Sequence, residues 1–582
     1  MNTLPGFVRV APGAALALCV ALFAPALSQA QQTPEPPAAA PPAPAGDLFT
    51  IPKVIDRPLG LEEGPRLRVT AFRLSGAVAR DQVNLAEVNG LLAAAQASQP
   101  AEGFAINQLQ EVAGQVTKYY RDHGLILAQA FIPAQEVSSG EVTIQVLEGK
   151  LGAVRVEGNK YYDAKVLTRP FRNLIGGPVV KDQVEESLLR ITGYAGLNAQ
   201  AVFSAGSDVG TTDLVLRVQQ EQRLGLDASV DNHGSRFSGE YRGTVGLTSY
   251  NAFGIADTIR AYALRAFDPN DNDATGTYGG ITANLPMTPS TALRLEAASN
   301  AYDVGLEFAA LGLTGETFIA TAAIDYDLVR SRYGTHGLTF DFSRKTAKFE
   351  ESGSQTAEDE IAAIGVEYRL SQIDTRFRGI NRLSLRYTRG LEGIFGAIGA
   401  PGEPPGEGEP PPSRTGVGGG FHKTTLDMQR MQRLSTNMAI LVRAFGQYSD
   451  DLLTSLEQLS LGGPYSVRAY PVSEFLVDRG AFASFEFIAN APGFASRPAW
   501  ANRTWGQVLQ FSLFADYATG KVLGTVAQDV DATPEISGWG GAVQFNFTRK
   551  SFLRADVATP IGNYVPSDDR DPQYFVRFGV QL

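Results

Sequence analysis

The sequence predicts two small α+β modules followed by a 16-stranded antiparallel transmembrane β-barrel. Three observations lead to this fold class. The order strand–helix–helix–strand–strand occurs twice before residue 222. From Arg223 onward short segments alternate apolar with polar residues, as strands with one dry and one wet face do. The connections between these segments alternate in length, which places the long polar connections on one side of the predicted barrel.

The first 30 residues have the pattern of a signal peptide. An arginine is followed by an apolar run over 11–27, and Ser28 and Ala30 are small residues at the −3 and −1 positions of a cleavage site. The single cysteine, Cys19, lies in the apolar run and would be removed with it. A lipid-modified cysteine is the alternative, which the bulky Leu18 before it disfavours. The segment predicts export to a Gram-negative periplasm.

The rest of the N-terminal region divides into a tether and two modules. Residues 31–65 begin with a run of proline and alanine, which predicts an extended tether. The first module is predicted over 66–150, with helices at 83–96 and 106–123. The second module, over 151–221, repeats the same order of elements.

The barrel is predicted over residues 222–582. Two acidic stretches, "FDPNDNDA" and "FEESGSQTAEDE", and a Pro/Gly-rich stretch from 391 to 420 are predicted as long loops after odd-numbered strands. The predicted strands are 223–232, 238–250, 256–266, 275–284, 290–300, 317–329, 336–347, 360–370, 380–390, 423–433, 437–448, 480–490, 506–516, 537–548, 551–557 and 574–582.

A soluble β-domain with its apolar faces inside is the alternative to a barrel. The face opposite the apolar one carries charged residues, and these include Arg242, Arg260, Glu367 and Arg386. Charges at this density do not fit a dry core, whereas they suit a water-filled lumen. The polar face therefore favours a barrel.

Composition excludes several classes of function. The net charge is −11 and no lysine or arginine cluster forms a basic face, so no nucleic-acid partner is expected. The four histidines lie far apart, which makes a histidine-based metal site improbable, and no cofactor is expected. Neither G-x-S-x-G nor H-E-x-x-H occurs, so the chain is not expected to be an enzyme.

One stretch resembles a known family. "YYRDHGLILAQAFIPAQEVSSGEVTIQVLEGKLGAVRVEGN" is similar to the junction between two polypeptide-transport-associated (POTRA) domains in the two-partner secretion transporters (TpsB, haemolysin-activation type). These proteins belong to the BamA-like superfamily. The resemblance implies a Gram-negative outer-membrane barrel with its POTRA domains in the periplasm. It also implies a secreted exoprotein as partner, contact with outer-membrane lipid, and barrel insertion machinery during biogenesis.

The resemblance also gives a meaning to "LGGPYSVRAYP", residues 461–471. In the superfamily the loop after strand eleven folds into the lumen, here residues 450–479, and a Val-Arg-Gly-Tyr/Phe motif in it meets a Phe-x-Asp motif on strand thirteen. The matching residues here are Val467, Arg468, Ala469 and Tyr470, with Phe514 and Asp516. The resemblance implies that Arg468 reaches Asp516, where a screened ion pair contributes about 1 kcal/mol. A solvated Arg468 in an ordinary turn is the alternative.

The sequence departs from the family pattern at three points. Ala469 replaces a glycine, so the loop backbone there does not need a left-handed conformation. The last residue is Leu582, where phenylalanine is common in outer-membrane barrels. The proline density of residues 31–47 is incompatible with the helix that plugs the pore in many relatives.

Two functions share this fold. The favoured one is a translocator that captures an unfolded exoprotein partner in the periplasm and secretes it through the barrel. The alternative is an assembly factor that inserts other barrels into the outer membrane. Such factors usually carry three or more POTRA modules, and two are predicted here. A diffusion porin would not need periplasmic docking modules.

Overall fold

The computed structural model describes residues 49–50, 66–524 and 532–582. The predicted signal peptide and nearly all of the predicted tether lie outside the described residues. Within the described ranges no helix is long and apolar enough to cross a membrane.

The first α+β module is built on a three-stranded sheet. Its elements are β2 (Ala71–Ser75), α1 (Leu85–Ala97), α2 (Ile106–Asp122), β3 (Gln129–Phe131) and β4 (Glu141–Leu147), with β1 (Phe49–Thr50) preceding them in the chain. The sheet order is β2-β4-β3, with β2 parallel and β3 antiparallel to β4. Helix α2 buries residues at helical spacing, from Leu109 to Tyr120, against this sheet.

The second module repeats this arrangement. Its elements are β5 (Lys150–Glu157), α3 (Ala164–Thr168), a 3-10 helix (Arg169–Leu174), α4 (Lys181–Thr192), β6 (Leu197–Ala205) and β7 (Thr211–Glu221). Strand β7 lies between β5 and β6, and β1 pairs in parallel with the outer edge of β6. The apolar spacing over 180–196 predicts one helix, and the helix observed there ends at Thr192 with Gly193 as its C-cap residue.

Sixteen antiparallel strands close into a barrel, which confirms the predicted fold class. Each strand overlaps one of the sixteen predicted segments. Between β18 and β21 lies a small hairpin of β19 (Leu459–Leu461) and β20 (Phe475–Val477). The barrel strands are β8 (Leu224–Asp231), β9 (Tyr241–Tyr250), β10 (Thr258–Asp268), β11 (Asp271–Pro286), β12 (Thr291–Asp303), β13 (Leu313–Ser331), β14 (Gly334–Glu351), β15 (Ser354–Asp374), β16 (Gly379–Gly390), β17 (His422–Arg433), β18 (Met438–Tyr448), β21 (Arg479–Asn490), β22 (Leu509–Lys521), β23 (Glu535–Asn546), β24 (Ser551–Ile561) and β25 (Gln573–Gln581).

The alternation of faces is visible across β13 to β16. Ile324, Phe340 and Val366 are register partners on adjacent strands, and all three are exposed on the outside. One position along, Glu367 and Arg386 are register partners that face the lumen, where Arg386 forms an ion pair with Asp341 at 2.7 Å. The charges that argued for a wet lumen are thus paired across its wall.

Two predicted features of the connections are wrong. The stretches "FDPNDNDA" and "FEESGSQTAEDE" are mostly strand, because β10–β11 and β14–β15 are joined by tight turns and continue as long hairpins. The connection after β21, residues 491–508, is also long, although β21 is an even-numbered strand of the barrel, the twelfth when β8 is counted as the first. This connection contains α5 (Trp505–Val508). Periodicity does not reveal where a strand leaves the membrane, since a hairpin in water keeps the same pleat.

The second module docks on the end of the barrel that carries the turns after the even-numbered barrel strands, counted from β8 as the first. Arg332, in the turn after β13, donates from Nε to Glu185 of α4 at 3.1 Å. Nδ2 of Asn251, in the turn after β9, donates to the main-chain oxygen of Tyr161 at 2.9 Å. The turns after even-numbered strands and both modules therefore share one side of the membrane.

Candidate functional site

The connection between β18 and β21, residues 449–478, lies inside the barrel. Its hairpin pairs Leu459 with Val477 and Leu461 with Phe475. Side chains of this loop form an apolar cluster with residues of the barrel wall, and Val467 and Tyr470 in it are fully buried. A loop held only in water would leave these side chains exposed, so its packing against the inner wall orders it.

The tip of this lumen loop turns on two glycines. Gly462 has φ 101° and Gly463 has φ 89°, a region that side chains rarely adopt. The amide of Gly463 donates to the main-chain oxygen of Tyr470 at 3.0 Å, which closes the tip. Ala469 does not have this left-handed backbone conformation, which agrees with the prediction made from alanine in place of glycine. Its Cβ lies 2.3 Å from the place that a Cβ on Gly538 of β23 would take, so the wall must be glycine there.

The structure brings Arg468 and Asp516 together. The Arg468 Nε lies 2.8 Å from Asp516 Oδ2, and Nη2 lies 2.9 Å from Oδ1, a two-pronged contact. The main-chain amide of Arg468 also donates to Oδ2 at 3.1 Å. Three donors of Arg468 thus bind a single carboxylate on β22, and the Ser484 hydroxyl donates to its Oδ1 at 2.7 Å.

Two further wall strands contact the same guanidinium. Nη1 of Arg468 donates to Glu486 on β21 at 2.9 Å, and Nη2 donates to Ser484 Oγ at 3.2 Å. Arg554 on β24 donates to the other oxygen of Glu486 at 3.0 Å, so that carboxylate bridges two arginines. The sequence predicted one acidic partner, whereas the structure supplies three, because Nη1 of Arg468 also lies 3.5 Å from Asp556 Oδ1 on β24.

Phe514 forms the floor of this contact. The guanidinium carbon of Arg468 lies 3.3 Å from the centre of the Phe514 ring, in the geometry of a cation–π interaction. Arg468 is only 2% exposed and Asp516 3%. The expectation of a screened ion pair is therefore wrong, because both side chains are buried away from water. Removing one partner of a buried pair costs about 3–5 kcal/mol.

Sequence reasoning missed a second anchor of the lumen loop. Glu457 accepts from Nζ of Lys345 on β14 at 2.7 Å and from Nζ of Lys423 on β17. Burial would raise the pKa of Glu457, but the two lysines lower it to about 2. The carboxylate therefore stays charged and holds the first half of the loop against β14 and β17.

A third anchor lies where the loop returns to the wall. Asp478 accepts from Arg414 at 2.7 Å and also from the main-chain amides of Leu453 and Leu523, at 2.9 and 2.7 Å. Arg414 belongs to the connection after β16. The loop contains five acidic residues, and the sequence alone does not show which of them meet a basic partner.

The lumen loop also touches the last outer connection, between β24 and β25. Both carboxylate oxygens of Glu474 accept from Ser567, from its amide at 3.0 Å and its hydroxyl at 2.8 Å. The Tyr470 hydroxyl donates to the main-chain oxygen of Tyr564 at 3.3 Å. Burial raises the pKa of Glu474 from 4.5 to about 7, although the Ser567 contacts oppose this rise.

We expect the hold on the lumen loop to weaken between about pH 4.5 and pH 7. The packed loop binds a proton at Glu474 more readily than a released loop does, so this stabilisation is complete below pH 4.5 and is lost as pH rises through 7. A nitroxide on Ser460→Cys should be more mobile at pH 8 than at pH 5. Glu474→Gln should remove this difference, and its persistence in that variant would contradict the assignment to Glu474.

The fold and the lumen loop define a class: an outer-membrane β-barrel transporter with POTRA-type modules in the periplasm. The chain belongs to the family of haemolysin secretion/activation proteins ShlB/FhaC/HecB, whose family model matches residues 210–543. A second model, the ShlB-type POTRA domain, matches residues 81–149. Members of the family are TpsB transporters of exoproteins in the outer membrane, and this chain is such a transporter.

Individual relatives agree with this membership. The heme/hemopexin transporter protein HuxB of Haemophilus influenzae (strain 86-028NP) is 24% identical, over 90% of this chain and 89% of the relative. The structure of CdiB from Escherichia coli matches with a TM-score of 0.69 and 19% identity, over 99% of this chain and 100% of that one. BamA from Haemophilus ducreyi matches with a TM-score of 0.51 and 14% identity, over 88% and 100% of the two chains.

Proposed function

We propose that this transporter captures an unfolded exoprotein in the periplasm and secretes it through the barrel lumen. The observation that carries the proposal is that the lumen is filled by a loop rather than by wall residues. The loop is held through ion pairs at separate points, and ion pairs can be exchanged for other partners without opening the wall. A polypeptide can thus take the place of the loop while the barrel stays closed.

We propose that the contact of Arg468 with Asp516 acts as a lock between this loop and the barrel. Val467 and Tyr470 seat the loop tip in the apolar cluster, and Phe514 supports the guanidinium. Releasing Arg468 would leave buried carboxylates without a partner, which is costly and favours a closed resting state. Release requires a competitor for the carboxylates, and a chain entering from the periplasm brings backbone and side-chain donors to that point.

Capture is proposed to occur by strand addition to the second module. Strand β5 is an edge of its sheet, and β7 pairs with it on one side. The opposite edge, β6, pairs with β1 at Ala201 and Val202. Main-chain hydrogen bonding to an edge accepts many sequences, which suits an unfolded client. Strand β5 also belongs to the module that docks on the barrel, so a bound client starts near the lumen.

The capture step can be tested by site-specific photocrosslinking. A photoreactive side chain at Glu157, on β5, should crosslink to an exoprotein stalled during secretion. The same group at Glu111, exposed on α2 of the first module, serves as the matched control and should give little product. Equal crosslinking at both positions would contradict capture at β5.

Translocation itself is tested in cells that express the candidate exoprotein with and without this transporter. The exoprotein should reach the medium only when the transporter is present, and fusing it to a ligand-stabilised folded domain should block its release. Release in the deletion strain would overturn the proposal. A general loss of other outer-membrane barrels in that strain would instead support an assembly factor.

A further inference from the structure

The connection after β21, residues 491–508, differs from the other periplasmic connections. Within the described ranges it is the longest connection that follows an even-numbered barrel strand, counted from β8 as the first. It folds back onto the outer surface of the barrel beside β23. The Trp500 indole Nε1 donates to the main-chain oxygen of Phe547 at 2.9 Å. Nη1 of Arg503 donates to the main-chain oxygen of Asn546 at 2.8 Å. These contacts fix the connection to the rim of the barrel.

A row of aromatic rings covers this rim. The centre of the Trp500 ring lies 5.9 Å from that of Trp505 and 5.4 Å from that of Phe545. The row continues from Phe545 to Phe547 at 4.9 Å and to Phe578 on β25 at 6.1 Å. Trp500, Phe547 and Phe578 are each more than a third exposed. Amphipathic rings at this height are typical of the boundary between membrane and water.

Four cations lie near these rings in the chain, and none of them forms an ion pair with a carboxylate among the described residues. Arg497 and Arg503 belong to the connection itself, and Arg549 and Lys550 follow in the next turn. Neither 491–508 nor 547–550 contains an aspartate or glutamate. Burial lowers the pKa of Arg503, and the nearby charge of Arg549 lowers it further. Unlike the paired lumen arginines, this group gathers positive charge on a chain whose net charge is −11.

We propose that this aromatic–basic patch, formed by residues 491–508 with Phe545, Phe547, Arg549, Lys550 and Phe578, binds the head group of an anionic phospholipid in the periplasmic leaflet. The rings set the depth of the site at the interface, and the four cations supply the positive charge that a phosphodiester would meet. Cations near a membrane surface favour anionic lipid, and arginine is suited to phosphate.

The position of the patch gives the lipid a place in the fold. The second module docks on the turns after β9 and β13. The patch instead borders β23 and β25, and β25 closes the barrel against β8. A bound head group would therefore hold the closing strands at a fixed depth.

Tryptophan fluorescence provides a direct test, since the chain has three tryptophans and two lie in the patch. Trp539→Phe removes the third, which is exposed on β23 toward the other leaflet. The purified full-length transporter is reconstituted in phosphatidylcholine vesicles with a small fraction of brominated lipid, a quencher of indole fluorescence. Brominated phosphatidylglycerol should quench with roughly fivefold higher apparent affinity than brominated phosphatidylcholine, the scale expected from cations at a membrane surface.

Three further proteins complete the experiment. Arg497→Gln, Arg549→Gln and Lys550→Gln together should abolish the preference while leaving quenching by phosphatidylcholine unchanged. Arg376→Gln with Arg378→Gln, in the turn after β15, is the matched control and should retain the preference. A protein with only Trp539 should show none.

Salt gives an independent readout on the unaltered patch. The preference should fall strongly at 0.5 M salt, where surface charges are screened. Equal quenching by the two lipids at low salt, or a preference that survives in the triple variant, would overturn the proposal.

Discussion

Replacing Arg468 with alanine is expected to reduce secretion of the exoprotein more than tenfold. The change leaves Asp516 and Glu486 as buried carboxylates that each lose a partner, which destabilises the seated loop by about 3–5 kcal/mol. Secretion is measured as the fraction of exoprotein in the medium. Secretion by Arg468→Lys should lie between that of the unaltered protein and that of Arg468→Ala, because an ammonium cannot reproduce the two-pronged contact.

The partner change and the double change make this prediction specific. Asp516→Ala should also impair secretion, but less, since Arg468 keeps Glu486 as a partner. The double variant should be no worse than Arg468→Ala, because residues in contact are not additive. Arg260→Ala breaks a lumen ion pair with Asp227 that does not involve the loop, so it serves as a matched control. Strictly additive defects would show that the two side chains do not act together.

Replacing Glu457 with glutamine is expected to release the first half of the lumen loop. Lys345 and Lys423 would then lose their shared carboxylate, again at a cost of about 3–5 kcal/mol. The chain's single cysteine, Cys19, lies in the predicted signal peptide, so Ser455→Cys gives a unique thiol. Ser455 is 2% exposed, and its labelling by a maleimide should accelerate at least tenfold in the Glu457→Gln background.

A variant without charges in this cluster serves as the control, since it removes the ion pairs but keeps the packing volume. Replacing Glu457, Lys345 and Lys423 together with methionine removes every charge while keeping similar volume, and buried ion pairs are often replaceable in this way. Labelling of the thiol should return toward the slow rate. If Glu457→Gln leaves the labelling rate unchanged, the anchor does not hold the loop.

The sequence determined the class of fold because a β-strand records its two faces locally. The pleat places successive side chains on opposite faces, so the alternation along 574–582 or 380–390 needs no distant residue to be recognised. The amphipathic spacing of α2, from Leu109 to Tyr120, records one buried face in the same way. The resemblance then pointed to Arg468 and Asp516, which periodicity alone could not pair.

The tertiary structure decided the contacts between residues distant in the chain. Lys345 and Glu457 are 112 positions apart, and closure of the barrel brings them together with Lys423. The further carboxylates beside Arg468, Glu486 and Asp556, likewise come from different strands, as do the residues of the aromatic–basic patch. A local pattern shows which side of a strand is wet, but barrel closure sets which side chains meet across the lumen or along the rim. For the same reason the sequence did not predict that Arg468 is buried, since the loop that carries it excludes water from the contact.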